Sequence, residues 1–340
     1  MTTSSGVDAP VSDARVTTCI SSGTSASLSV ASIRRNMKPE VINHSSKEEW
    51  LTTRMKDVTS SEVAALFGCN PYLTEFEMFH RKREGVVVQI VENERMRWGT
   101  RLQDAIALGI AEDNGWKVRR ADEYMRLPVF RMGSSFDFFI DDDGILEVKN
   151  VDSLVYRDGW EIDGNNIEAP PHIELQVQHQ LAVSGRKYAY IGALVGGNRV
   201  ELLKRTPDEV VIGAIKAKVL QFWEDIADDK EPKPDWERDA KFISKLYSHA
   251  EPGKLLDIKG DVEFARLAEQ YKAASAQIKS AEDVRDAFKA QILTRIGDAE
   301  KVTGEKFTIS AGIVGPAHVE YDREGYRSFK LSWKREKKSD

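Results

Sequence analysis

The sequence predicts an α/β fold in which helices flank a mixed central β-sheet, followed by a C-terminal appendage of helices and short strands. A helical pattern precedes a run of strand-like segments, and a second helix, two further strands and a third helix follow. This order is typical of helices packed on the faces of one mixed sheet. Pro232-Lys233-Pro234 marks a boundary after it. We therefore predict a disordered tail over 1–45, a core over 46–234 and an extension over 235–340.

The helices are predicted from capping signals and from apolar residues at helical spacing. Thr59-Ser60-Ser61-Glu62 has the form of a capping box or N-cap, and Gly68 follows as a stop. Leu102, Ile106 and Ile110 recur at the spacing of one helical face. The predicted helices are 62–67, 74–84, 95–114, 171–183, 207–227 and 261–296.

The strands are predicted from apolar runs that flank turn residues. Asp143-Gly144 lies between two such runs and is a strong hairpin signal, and Gly196-Gly197-Asn198 indicates a second hairpin. The segment 152–171 contains Gly, Pro and Asn and is predicted to be a loop able to reach a ligand. The predicted strands are 116–120, 131–140, 145–150, 187–195 and 199–204 in the core, and 307–310, 318–321 and 329–333 in the appendage.

Composition narrows the class of protein. The 340 residues are 41% hydrophobic and 31% charged, which is typical of a globular chain, and no apolar run reaches the roughly 20 residues of a membrane span. Two cysteines are too few for a disulfide framework, and the first residues lack a signal-peptide pattern, so we expect a cytoplasmic protein. The net charge of −6 argues against nucleic-acid binding through bulk charge but leaves room for a local basic channel.

The Asp143-Gly144 hairpin carries the most informative residues. Alternate side chains of a strand share a face, so Glu147 and Lys149 project together, with Asp137 on the partner strand. Two carboxylates can hold Mg²⁺, and a neighbouring lysine can orient or deprotonate a water, which is the chemistry of phosphodiester hydrolysis. A cross-strand ion pair is the alternative interpretation. The apolar residues around these charges indicate central strands, where an unused charge is costly.

Four separated blocks, taken together and in order, resemble a known family. They are Trp50-Leu51-Thr52-Thr53-Arg54 with Val58-Thr59-Ser60-Ser61-Glu62-Val63, then Arg97-Trp98-Gly99-Thr100-Arg101-Leu102-Gln103, then the hairpin from Gly133 to Asn150, and Glu174-Leu175-Gln176-Val177-Gln178-His179-Gln180-Leu181. Over about 49–225 the chain resembles the lambda exonuclease or YqaJ-like viral recombinase family, part of the wider PD-(D/E)xK nuclease fold.

The resemblance implies roles around one metal centre. Asp137 and Glu147 would ligate Mg²⁺, with Mn²⁺ as a substitute, and the carbonyl of Val148 would add an oxygen. Lys149 would position or activate the attacking water. Gln176 corresponds to the first glutamine of the family's Q-x-Q helix, which faces the active site. His172, Gln176 and Gln180 share one face of the predicted helix, and a solvated polar stripe is the alternative interpretation.

The resemblance also implies a pocket for a terminal 5′-phosphate. Arg54, followed by a turn like the family's T-A-S, and Ser61 would bind that phosphate, with Ser135 completing the pocket. An arginine fork and hydroxyl donors suit a phosphate. Trp50 could stack on DNA, although a buried Trp is the commoner outcome. Taken alone, the Arg54 block also fits a simple N-cap beside a surface arginine.

One position departs from the family. Relatives commonly read W-G-x-x-x-E, with the Glu near the metals, whereas this chain has Gln103. Gln103 could contact a metal through a water but lends no charge, and Asp104 could substitute although it lies about 100° further round the helix. The number of bound metals, one or two, is therefore open.

The resemblance implies a Mg²⁺-dependent 5′-to-3′ exonuclease on linear double-stranded DNA that leaves 3′ overhangs for recombination by annealing. It further implies DNA ends as substrate, a phage single-strand annealing protein as partner, a toroidal homotrimer, and a phage or prophage origin in a bacterial host. Two alternatives stay open: an endonuclease or repair nuclease on the same core, and a DNA-end-binding recombination protein whose nuclease site has decayed.

Overall fold

A computed structural model of the chain describes residues 38–85, 92–163, 166–323 and 325–332. The described residues divide into two compact units between Phe242 and Ile243. A disordered tail is predicted over 1–45, and residues 1–37 of it lie outside the described residues. The prediction is wrong for Glu40–Ile42, which form strand β1.

The centre of the first unit is a five-stranded mixed sheet with the order β11-β10-β7-β6-β3. The β7–β10 pair is parallel, and the other pairs are antiparallel. This confirms the predicted α/β class with a mixed sheet. The strands are β3 (Val118–Arg120), β6 (Phe138–Ile140), β7 (Gly144–Val151), β10 (Tyr188–Val195) and β11 (Arg199–Arg205).

A second sheet of four short strands has the order β1-β4-β5-β2. The sequence predicts one strand over 131–140, but the structure divides it into β5 in this sheet and β6 in the central sheet. The break falls at Ser135-Phe136-Asp137, so two predicted site residues lie where the chain passes from one sheet to the other. The remaining strands of this sheet are β2 (Val58–Thr59), β4 (Tyr124–Leu127) and β5 (Met132–Ser134), and the sequence analysis missed β4.

Helices cover both faces of the central sheet. On one face, Leu146 and Val148 of β7 pack with Ile106 and Ile110, which lie on the helix Glu94–Asn114. On the other face, Ile145 joins a larger cluster with the helices Pro171–Ser184 and Glu209–Ala227. The helices of this unit are α1 (Lys47–Met55), a 3-10 helix (Val63–Phe67), α2 (Glu75–Glu84), α3 (Glu94–Asn114), α4 (Ser153–Gly159), α5 (Pro171–Ser184) and α6 (Glu209–Ala227), with α7 (Ala240–Leu246) at the boundary between the units.

The predicted loop over 152–171 is wrong. Asp152 caps helix α4 by accepting a hydrogen bond from the Leu154 N–H, which opens a helix where the composition indicates a loop. A small hairpin follows, formed by β8 (Glu161–Asp163) and β9 (Asn166–Glu168).

The second unit consists of one long helix, α8 (Val262–Ile296), and a hairpin of β12 (Lys301–Thr303) and β13 (Thr308–Ser310). The helix predicted over 261–296 is confirmed, with Asp261 as its N-cap rather than its first residue. The predicted strands at 318–321 and 329–333 are wrong over the residues that the structure describes, and Trp333 lies outside them. None of the described residues of this unit is fully buried.

Candidate active site

The β6–β7 hairpin carries Glu147 on β7, whereas Asp137, predicted to lie on the partner strand, lies just before it. The strands pair antiparallel with Phe138 opposite Leu146, and the turn between them contains Asp141 with a φ of 44°. Asp137 directly precedes β6, and its carboxylate accepts a hydrogen bond from the Val148 N–H at 2.8 Å. This bond ties Asp137 to β7 and holds it beside the face that carries Glu147.

The side chains of β7 alternate as the sequence predicts. Leu146 and Val148 face α3, whereas Ile145 belongs to the opposite core. Glu147 and Lys149 share the face of Ile145, and the Lys149 ammonium lies 2.5 Å from Glu147 Oε1. The strand therefore delivers a carboxylate and an ammonium to one point.

Glu147 is nearly fully buried and receives three side-chain hydrogen bonds. Lys149 Nζ and Gln176 Nε2 donate to Oε1, the latter over 2.6 Å, and Gln180 Nε2 donates to Oε2 over 2.8 Å. Lys149 also donates to Gln176 Oε1 over 3.2 Å, which closes a ring of three side chains. Such a buried network differs from a solvated cross-strand ion pair and resembles a preorganised site.

Helix α5 supplies the amides of this network. Pro171 opens it, and Gly185 ends it with a φ of 69°, a conformation that suits glycine. Gln176 and Gln180 are one turn apart and both donate to Glu147. The predicted polar face of α5 is thus directed at the site. His172, on the same face, has its pKa lowered to about 4 by burial and by the Lys149 charge.

Two carboxylates are held close together in this cleft. Burial, and next the Glu147 charge, raise the pKa of Asp137 to about 7, against the opposing effect of Lys149. Burial acts to lower the pKa of Lys149, but the charges of Glu147 and Asp137 outweigh it and raise that pKa above its ordinary value. Closely spaced buried carboxylates are the kind of donor pair that a divalent cation neutralises.

Gln103 lies at the same point, on helix α3. Its side chain acts to lower the pKa of Asp137, and its Oε1 accepts a hydrogen bond from Arg120 over 3.2 Å. Asp104 is exposed and paired with Arg120 at 2.9 Å, so the suggested substitution of Asp104 for the family's Glu is not supported. No cluster of three or more His, Cys, Asp or Glu suited to a metal occurs among the described residues. Two carboxylates and a neutral amide nevertheless fit Mg²⁺, which proteins often hold by one or two carboxylates.

The three residues predicted to bind a 5′-phosphate and the tryptophan predicted to contact DNA form one cluster, named here the end pocket: Trp50, Arg54, Ser61 and Ser135. Trp50 Nε1 donates to Ser135 Oγ over 3.0 Å, and Arg54 Nη2 donates to Ser61 Oγ over 3.2 Å. The Arg54 guanidinium stacks over the Trp50 ring, 4.4 Å from its centre. An arginine and two hydroxyls thus converge from segments far apart in the sequence.

A buried lysine that the sequence analysis missed supports the end pocket. Lys82 Nζ donates to the carbonyls of Arg54 and Asp57 and to the carboxylate of Glu62, all within 2.9 Å. Glu62 also accepts from the Thr59 N–H. The predicted capping box is nevertheless wrong, because Thr59 lies in β2 and the 3-10 helix that follows has Glu62 as its N-cap, without a side-chain cap. Burial acts to raise the pKa of Glu62, but Lys82 and Arg54 lower it overall. No local pattern distinguishes Lys82 from the other basic residues of α2.

Gln180 connects the end pocket to the carboxylates. Its Nε2 donates to the Ser135 carbonyl over 3.2 Å as well as to Glu147. Ser135 is two residues before Asp137, so the two halves of the site are adjacent in the chain and in space. The helical pattern placed Gln180 on the correct face of α5, but no role was predicted for it. Its i+4 spacing from Gln176 was the available signal that both amides reach the same site.

No helix among the described residues has the length and apolar character needed to cross a membrane.

Sequence comparisons find known proteins that are similar to the part of the chain that carries this site. The family model described as the YqaJ-like viral recombinase domain matches residues 49–187. The chain is 28% identical to the protein YqaJ of Bacillus subtilis (strain 168) over 261 residues, which are 75% of this chain and 80% of that protein.

Solved structures with similarity to the chain include two described as exonucleases. The alkaline exonuclease LHK-Exo of Laribacter hongkongensis is 20% identical with a TM-score of 0.44, covering 59% of this chain and 100% of that one. A phage-related exonuclease of Haemophilus somnus 129PT is 10% identical with a TM-score of 0.39, covering 51% of this chain and 96% of that one. The stretch of the chain that is similar to the YqaJ-like viral recombinase domain includes the end pocket, the β6–β7 hairpin and helix α5.

Proposed function

We propose that the protein is a Mg²⁺-dependent exonuclease that degrades the 5′-ended strand of linear double-stranded DNA and leaves 3′ overhangs. One observation carries the proposal: the end pocket adjoins the buried carboxylates through Ser135 and Asp137, two residues apart. A nuclease that cuts next to a chain end needs a phosphate-binding pocket at a fixed distance from its hydrolytic groups.

The end pocket supplies groups that suit a terminal 5′-phosphate. Arg54 offers a planar fork of donors, and Ser61 is exposed beside it. The Ser135 hydroxyl, which accepts from Trp50, can donate its own proton to a phosphate oxygen. Binding at this point would fix the register of each cut.

Asp137 and Glu147 would hold Mg²⁺, with Gln103 as a neutral neighbour, while the Val148 carbonyl stays a predicted ligand. When bound, the cation would polarise the scissile phosphate and stabilise the leaving 3′-oxygen. Lys149 has its ammonium beside Glu147 and Gln176, where it can orient the attacking water and offset developing negative charge.

The two alternatives predict different behaviour. An endonuclease on the same core would need no end pocket, so the convergence of Arg54, Ser61 and Ser135 favours an end-directed enzyme. A decayed site would gain nothing from keeping Lys149 and Gln176 ordered around a buried Glu147, which costs desolvation.

The wider assembly follows from the resemblance and is proposed on the same basis. We expect a toroidal homotrimer that threads DNA, a phage single-strand annealing protein that receives the overhang, and action in the cytoplasm of a bacterial host. The acidic net charge of −6 would then require a basic lumen formed by local charges.

The deciding experiment compares linear duplex DNA with a 5′-phosphate, the same duplex with a 5′-hydroxyl, and closed circular DNA, each with Mg²⁺. Loss of the 5′-ended strand from linear phosphorylated duplex, with intact circles, supports the proposal. Cutting of circles would identify an endonuclease, and no cutting of any substrate would indicate a decayed site.

A further inference from the structure

Gln180 is a buried amide with an unusual division of hydrogen bonds. Its side chain is 1% exposed on helix α5. Nε2 donates both to Glu147 Oε2 and to the Ser135 carbonyl, at 2.8 and 3.2 Å. Oε1 is buried and accepts no hydrogen bond from the residues that the structure describes.

The two acceptors belong to different parts of the proposed site. Glu147 is one of the paired carboxylates, whereas the Ser135 hydroxyl accepts from Trp50 in the end pocket. Each hydrogen of the Nε2 group therefore serves one part. A displacement of Ser135 must change the position of this amide, and with it the hydrogen bond that orients Glu147.

The amide of Gln180 satisfies two acceptors at once. An apolar side chain of similar size would leave both Glu147 Oε2 and the Ser135 carbonyl without this donor, which is destabilising for buried groups. One Nε2 group therefore ties the position of the Ser135 backbone to the orientation of the Glu147 carboxylate.

We propose that Gln180 is a positioning residue that couples occupancy of the end pocket to the orientation of Glu147. This inference rests on the proposed function. A 5′-phosphate bound at Ser135 and a divalent cation bound at Glu147 would each favour the same position of the amide. Because such coupling is reciprocal, a 5′-phosphate strengthens cation binding by the factor by which the cation strengthens binding of the phosphorylated end.

The test uses two substitutions of Gln180 and one matched control. Gln180→Leu removes both donated hydrogen bonds, and Gln180→Asn keeps the amide on a side chain too short to span both acceptors. The control is Gln178→Leu. Gln178 is buried on the same helix, but its amide bonds the Thr206 carbonyl and the Asp208 N–H, outside the site.

The measurement is DNA binding without cleavage. Full-length protein is titrated with fluorescent duplex carrying a 5′-phosphate or a 5′-hydroxyl, each in EDTA and in Ca²⁺, and anisotropy gives four dissociation constants. The coupling factor is the gain from Ca²⁺ with the phosphorylated end divided by the gain with the hydroxyl end. Thermal unfolding of each variant confirms that it is folded.

In the wild type and in Gln178→Leu we expect a coupling factor of about ten, which is of the usual size for coupled sites. In Gln180→Leu and Gln180→Asn we expect a factor near one, with both ligands still bound separately. A factor unchanged in the folded Gln180 variants, or lost equally in Gln178→Leu, would overturn the coupling role.

A wild type that prefers phosphorylated ends and gains from Ca²⁺, but without coupling, would overturn this inference and leave the proposed function standing. A wild type indifferent to both the phosphate and the cation would remove the proposed function as well.

Discussion

The two halves of the candidate site differ in how their polar groups are satisfied. In the catalytic centre, defined as Asp137, Glu147, Lys149 and Gln176, the Glu147 side chain is 4% exposed and its oxygens are bonded by neighbouring side chains. In the end pocket, Ser61 is exposed, and the hydrogen bonds from Arg54 to the Ser61 and Thr59 hydroxyls are long, at 3.2 and 3.4 Å.

This difference suggests a division of labour. Groups satisfied inside the fold are held in place before the substrate arrives, which is what electrostatic stabilisation of a transition state requires. Groups that lack strong internal partners can exchange them for a ligand at little cost. We therefore expect substitutions in the catalytic centre to change the rate of hydrolysis, and substitutions in the end pocket to change the choice of end.

The largest expected effect is that of Lys149→Ala. Removing the ammonium takes away a preorganised charge next to the paired carboxylates, so we expect the rate of nucleotide release from linear duplex DNA in Mg²⁺ to fall roughly a thousandfold. Lys187→Ala is the control, because Lys187 pairs with the exposed Asp143 at the turn end of the same hairpin. An active Lys149→Ala protein would contradict the assignment of the catalytic centre.

Arg54→Ala tests the other half. Loss of a charged donor to phosphate should reduce the preference for 5′-phosphorylated over 5′-hydroxyl ends by roughly ten- to a hundredfold, while cleavage of hydroxyl ends changes little. The comparison is made from initial rates on the two duplexes. Arg83→Ala removes a similarly stacked arginine, over Phe79, on helix α2 and should keep the preference. If both end types slow equally, Arg54 serves general DNA binding or folding.

Gln103→Glu tests the difference between the two halves by adding a negative charge beside the catalytic centre and leaving the end pocket unchanged. The Gln103 side chain is close enough to influence the pKa of Asp137, so a carboxylate there should lower the Mg²⁺ concentration for half-maximal activity on the order of tenfold, without changing end preference. Gln221→Glu, at an exposed position on α6, controls for added charge. An unchanged Mg²⁺ requirement would show that Gln103 lies outside the influence of the cation.

The smallest expected effect on activity comes from His179, which is buried beneath both halves and hydrogen-bonds Ser134. Burial lowers its pKa to about 3 from an ordinary 6.5, so the unfolded chain takes up the proton first as the pH falls. Burial of the neutral His179 ring therefore contributes fully to the free energy of unfolding above pH 6.5. This contribution is lost as the pH falls toward 3, by up to about 1.4 kcal/mol per pH unit.

His179→Gln should therefore make the unfolding free energy of the first unit less dependent on pH between 6.5 and 5, as measured by denaturant titration. His249→Gln, at an exposed position in the second unit, provides the comparison. Equal slopes for wild type and His179→Gln would show that the ring is not buried in its neutral form.

The sequence predicted those parts of the site that depend on neighbouring residues. The hairpin at Asp143-Gly144 and the facing of Glu147 and Lys149 follow from the two-residue period of a strand. Helix α5 and its polar face follow from a proline start, a glycine stop and an i+4 repeat. These preferences act over a few residues, so they can be recognised without knowledge of the rest of the fold.

The errors occurred where distant segments decide the local structure. The apolar run 131–140 has the composition of one strand, but its first part pairs with β2 and β4 and its last part with β3 and β7. Competition between two sheets, rather than strand propensity, places the break at Ser135. The missed helix α4 depends on the Asp152 cap, a signal outweighed by the Gly and Pro residues that follow it.

By itself, the sequence determined the α/β class and the hairpin with its paired carboxylate and lysine. Its resemblance to a known family predicted the residues of the end pocket. Only the tertiary structure brought Trp50 to Ser135, 85 residues apart, placed Lys82 beneath Arg54, and put Gln180 between Ser135 and Glu147. The physical reason is that turns, caps and side-chain periods are set by bonds between neighbours. Contacts between distant segments exist only after the core has packed and fixed which surfaces meet.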